Sequence, residues 1–129
     1  MPIGTVKQLC KPSAVVTSDS LVEQVAQIED FATGKVDGRE FFRRNHFTAG
    51  LDVLVKRGFE RLAGKSDDGA FYLTQAMGGG KTHSLIAFGL LASDPGLRRE
   101  VLPKLSSGSD FGAAKVVIFN GHQNPETLL

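Results

Sequence analysis

The run Gly78-Gly79-Gly80-Lys81-Thr82-His83 limits this chain's possible folds more than any other stretch. Consecutive glycines permit positive-φ backbone that other residues resist. Their flanks make the run specific. Ala70-Phe71-Tyr72-Leu73-Thr74 precedes them as a short apolar, aromatic run that reads as a strand. Lys81 to about Ser93 follows as a helix apolar nearly all round. A glycine turn between a strand and a buried helix is the layout of a phosphate-binding loop.

Aligned on Gly80-Lys81-Thr82, the pattern G-x-x-x-x-G-K-[ST] places its first glycine at position 75, where this chain has Gln75. Flexibility sits later instead, at Gly78 and Gly79. The parts that meet phosphate remain. Backbone N–H groups from Gly78 through Thr82 can form an anion nest, and the positive end of the following helix points the same way. Lys81 can reach phosphate oxygens, and the Thr82 hydroxyl is placed to ligate Mg²⁺. His83 offers its backbone N–H, while its imidazole suits packing at the helix start better than catalysis. The expected ligands are therefore ATP and Mg²⁺, held by Gly78, Gly79, Gly80, Lys81, Thr82 and His83. A merely flexible turn with a solvated lysine would not need Leu85-Ile86-Ala87-Phe88, a segment built for burial, behind it. His46 and His122 have no second ligand at metal spacing, so no other metal is implied.

Upstream, residues 1–17 read as extended or irregular. Ser20 and Glu23 form a capping box before Leu21, Val25, Ile28 and Ala32 at helical spacing, with Gly34 as the stop. Asp37 is placed to cap a short helix carrying core residues Phe41 and Phe42. Thr48 is placed to cap a third, with Leu51, Leu54, Val55, Phe59 and Leu62 on one face and Gly64 beyond it. Downstream, Asp94-Pro95-Gly96 breaks the loop helix, and Leu97 to Leu105 reads as a short charged helix interrupted at Pro103. Lys115 to Phe119 is continuously apolar after its lysine, as a strand buried in a parallel sheet would be.

The expected fold class is α/β: the start of a P-loop NTPase parallel sheet (strand, P-loop, helix, strand) preceded by a helical N-terminal segment. Residues 1–66 form that helical segment and 67–129 a truncated P-loop core. Asn124 to Leu129 reads as the start of another element, so the chain is expected to continue.

With 129 residues the chain suits one domain able to bury roughly two-thirds of its unfolded surface. Its 15 basic and 14 acidic residues give no global pull toward nucleic acid or anionic membrane. The single cysteine, Cys10, excludes an internal disulfide and fits a cytoplasmic setting. No apolar run is long enough for a signal peptide or a bilayer span, so no membrane partner is expected.

Hydrolysis needs more than a cradle. A Walker B carboxylate should end a buried strand, yet Val116-Val117-Ile118-Phe119 runs into Asn120-Gly121, with no acid until Glu126. Binding is supported and turnover by these residues is not. A non-catalytic module using nucleotide as a regulatory ligand, or a P-loop phosphotransferase, stays open beside an ATPase.

The segment TQAMGGGKTHSLIAFGLLASDPGLR resembles the Walker A region of large prokaryotic AAA-like P-loop ATPases catalogued as a domain of unknown function, whose loop typically reads GGGKTH. The resemblance extends to KPSAVV at 11–16, SLVEQVAQIEDFATG at 20–34 and FFRRNHFTAGLDVLVKRGFERLAG at 41–64. It implies an ATP-binding N-terminal part of a much longer ATPase. Relatives are frequently encoded beside DNA methyltransferases or helicase-like genes in anti-phage islands, so DNA-modification or defence proteins are implied as partners, with oligomerisation left open. It also implies a front-end element over the nucleotide, with Arg43 or Arg44 near phosphate or base. A solvated arginine pair beside two core phenylalanines is the simpler reading of those residues.

Overall fold

The computed structural model describes residues 4–11, 27–74, 76, 78–102 and 111–121. Six helices order these residues: α1 (Val6–Leu9), α2 (Ile28–Ala32), α3 (Gly38–Arg44), α4 (Ala49–Leu62), α5 (Lys81–Ser93) and α6 (Pro95–Val101).

Local chemistry explains most of the boundaries. The Asp37 side chain accepts from the Glu40 N–H at 2.8 Å and starts α3. The Thr48 hydroxyl accepts from the Leu51 N–H at 3.2 Å and starts α4. Both satisfy donors that a helix start leaves without intrahelical partners. At the far end of α4, Gly64 adopts φ +73°. Its N–H donates to Arg61 O and the Lys65 N–H donates to Glu60 O, which closes a Schellman motif. Gly34 ends α2 in the same way. Asp94 serves two helices: it follows the last residue of α5, and its Oδ1 accepts from the N–H groups of Gly96 (2.8 Å) and Leu97 (3.0 Å) to start α6.

α5 is the centre. Ile86, Ala87, Leu90, Leu91 and Ala92 are all buried, so the helix is covered on several sides, as its sequence without a polar face requires. α2, α3, α4 and α6 pack against it. They contribute Phe41, Leu51, Val55, Phe59 and Leu97 to one hydrophobic cluster. Gly58 and Gly89 set the closeness of this packing. A Cβ on Gly58 would lie 2.4 Å from Phe88, and one on Gly89 would lie 2.6 Å from Phe31.

The expected parallel sheet does not form. Among the described residues there is no strand, neither at 70–74 nor at 115–119. Backbone donors and acceptors hold a strand only when a neighbouring strand completes the ladder, and neither apolar run meets one among the described residues. Tyr72 is 91% exposed and Val117 83% exposed, so neither run is buried as a strand of a covered sheet would be. Residues 111–120 lie instead against the helices. The Ala114 N–H donates to Ala92 O at 2.9 Å, and the Asn120 amide donates to Glu29. That bond holds the Glu29 carboxyl below its ordinary range.

Two helical expectations also change. Residues 6–9, read as irregular, form a single turn, α1. Gln27 is extended at ψ 148°, so the helix carrying Ile28 and Ala32 begins at Ile28. The Ser20–Glu23 box, Leu21 and Val25 lie outside the described residues, as do Gln75, residues 103–110 and residues 122–129. No helix among the described residues is long and apolar enough to cross a membrane.

Candidate phosphate-binding site

The loop before α5 turns on two left-handed glycines, Gly78 at φ +80° and Gly80 at φ +78°. An L-residue with a Cβ pays roughly 1–2 kcal/mol for that conformation. Steric room is not what selects glycine here. A Cβ at either position would meet nothing within 4 Å, so the loop faces open space.

Between these glycines the loop closes on the Ala76 carbonyl. The Gly79 N–H donates to it at 2.9 Å, and the Lys81 Nζ donates to it at 3.0 Å. The lysine thus reaches back across the loop from the first residue of the helix. Gly80 occupies the cap position of α5, and its carbonyl accepts the Ser84 N–H at 2.9 Å. It has no side chain to cap the helix, unlike Asp37, Thr48 and Asp94 at the starts of α3, α4 and α6. The first-turn N–H groups of Thr82 and His83 have no acceptor within the helix, which is the geometry of any helix start.

The six residues singled out by sequence therefore come together around one helix start. Gly78, Gly79 and Gly80 shape the loop. Lys81 and Thr82 open the helix, with the Thr82 side chain exposed. His83 is half-buried, and its ring stacks on Phe41 with centroids 5.9 Å apart and planes 29° apart. Its imidazole is a packing group, which leaves the backbone N–H as its contribution to a ligand. Among the described residues no group of three or more His, Cys, Asp or Glu side chains could hold a metal ion.

The neighbouring arginines are engaged elsewhere. Arg43 donates from Nε (2.8 Å) and from a terminal nitrogen (2.7 Å) to the Glu40 carboxylate, and Arg44 donates to it as well. Hydrogen bonds, foremost from Arg43, hold the Glu40 carboxyl below its ordinary range and raise Arg43 above its own. Phe41 is buried and Phe42 half-buried beside this exposed cluster.

Sequence reasoning passed over Arg98. It sits in the short charged helix expected over Leu97 to Leu105, yet it is only 2% exposed. The Ala76 carbonyl carries no sequence signal either, because an acceptor on the main chain is independent of residue type.

A family model described as the DUF499 N-terminal domain matches residues 14–106. No curated protein and no solved structure matches the chain.

Proposed function

The chain belongs to the DUF499 N-terminal domain family, and we propose that its loop 78–83 binds the phosphates of a nucleoside triphosphate, ATP with Mg²⁺. The observation that carries this reading is the start of α5. A left-handed glycine caps a 13-residue helix without a side chain, and Lys81 and Thr82 follow at once. Backbone N–H groups and the positive end of the helix attract an anion at that point. A phosphate chain seated there would accept from the N–H groups of Thr82 and His83. Lys81 supplies a point charge within reach of the loop, since its Nζ already spans to Ala76. The Thr82 hydroxyl is the protein's ligand for Mg²⁺, which neutralises charge on the phosphates when bound.

The reading is one of binding. Its wider setting, an energy-coupling ATPase linked to nucleic-acid processing or phage defence, rests on the family resemblance alone. A thermal-shift titration with Mg-ATP tests the binding. At a hundredfold excess over the dissociation constant, ligand should stabilise the native chain by about 2.7 kcal/mol. Lys81→Ala should keep the unliganded melting temperature and lose most of the shift. Identical melting of both proteins with and without nucleotide sinks the reading.

A further inference from the structure

A crevice with a volume of about 430 Å³ opens between α2, the end of α4, α5 and residues 114–119. That size lies within the range of small-molecule sites. Phe31 of α2, Leu62 of α4, and Leu85 and Phe88 of α5 line it from the helical side, and Val116 and Phe119 line it from the other. None of residues 78–83 takes part. Apolar surface is left in water here, since Leu62, Leu85, Val116 and Phe119 are all exposed. Covering it with hydrocarbon is favourable.

The segment that forms the second wall is fastened at its ends. The Ala114 N–H donates to Ala92 O at 2.9 Å, and the Asn120 amide donates to Glu29. Between these anchors, residues 115–119 make no hydrogen bond with the described residues. This wall can therefore move outward without breaking one.

Charge decides what could sit there. Every lining residue is apolar except Lys115. A sugar or a nucleobase would bury its polar groups against walls that offer no other polar side chain, which opposes binding. Lys115 is exposed and forms no ion pair with the described residues. One cation beside an apolar crevice matches one anion on an apolar molecule. We propose that the crevice binds a free fatty acid, its hydrocarbon chain between the two walls and its carboxylate paired with the Lys115 ammonium. The proposal stands independently of the phosphate-loop reading.

The test is titration calorimetry on the full chain with single-chain amphiphiles kept below their micelle concentrations. Dodecanoate should bind with a stoichiometry of one. Decanoate should bind more weakly, by about fourfold for each methylene removed. Dodecyltrimethylammonium has the same chain under a cationic head and should bind more weakly than dodecanoate. Lys115→Glu should reverse that order of the two heads, a change that general detergent-like adsorption would not show. Leu62→Trp narrows the crevice and should weaken dodecanoate, with an unchanged melting temperature showing that the variant is folded. Equal binding of the two heads by wild type, or an order that survives Lys115→Glu, overturns the proposal. So does failure of dodecanoate to bind while the chain sediments as a concentration-dependent dimer that Leu62→Trp disrupts, because the crevice would then be covered by a second copy.

Discussion

The Arg98 guanidinium carbon lies 3.6 Å from the centroid of the Phe111 ring, and its terminal nitrogens donate to Phe111 O (3.1 Å) and Gly112 O (2.9 Å). One buried cation therefore fixes both a side chain and two main-chain carbonyls of the segment after α6. Phe59 completes the enclosure, edge-on to Phe111 at 5.0 Å. Burial lowers the Arg98 pKa, as expected when a charge leaves water. The two carbonyls and the ring faces offset that penalty.

Arg98→Met should keep most of the packing volume and leave both carbonyls without their donor. The expected loss is about 2–3 kcal/mol in urea unfolding. Hydrogen exchange at Ala114, whose N–H bonds to Ala92 O, should accelerate more than exchange within α4. A variant as stable as wild type with unchanged exchange would mean that the segment holds itself in place.

Gly58→Ala should cost about 1–3 kcal/mol by chemical denaturation, because the new Cβ would lie 2.4 Å from Phe88 and the core is close-packed. Gly69→Ala is the matched control. Its Cβ would meet only Asp67 O at 3.9 Å, so its midpoint should hardly move.

Gly80→Ala separates strain from packing. The Cβ enters open space, so the cost is conformational, about 1–2 kcal/mol for a left-handed residue. The loop can instead relax to negative φ, which would swing the first-turn donors of α5 away. Stability should therefore fall no more than in Gly58→Ala, while the Mg-ATP thermal shift falls much further. An undiminished shift would show that this backbone conformation is not what holds the ligand.

Acid should expose the Glu40 cluster. The folded carboxyl titrates below its ordinary value near 4.5, so its contribution is present above that pH and is lost as pH falls through the lowered value. Between about pH 5 and pH 3, wild type should lose more of its melting temperature than Glu40→Gln, which has no such proton to take up. Parallel curves would show that the exposed pairs add nothing measurable, as is common for surface ion pairs.

Much of the helical framework was legible because its signals are local. Asp37 and Thr48 cap where a short side chain can reach a free N–H, and Gly34 and Gly64 stop helices where a left-handed residue is needed. Helical spacing alone put Leu51, Leu54, Val55, Phe59 and Leu62 on one face; Leu51, Val55 and Phe59 are buried, Leu54 is half-buried and Leu62, at the end of α4, is exposed. The two apolar runs misled for the opposite reason. A strand is defined by its neighbour, and periodicity in 70–74 or 115–119 says nothing about whether one is in place.

By itself the sequence determined where α3 begins, where α4 and α5 begin and end, and that Gly78 to His83 gather at one helix start, because chain adjacency and backbone conformation suffice for that. Tertiary structure alone decided that His83 packs on Phe41, that Arg98 is buried over Phe111, and that residues 115–119 lie against helices with Val117 in the open. Those outcomes depend on which surfaces remain once the helices have packed around α5. That is a property of the assembled fold, which no window of sequence contains.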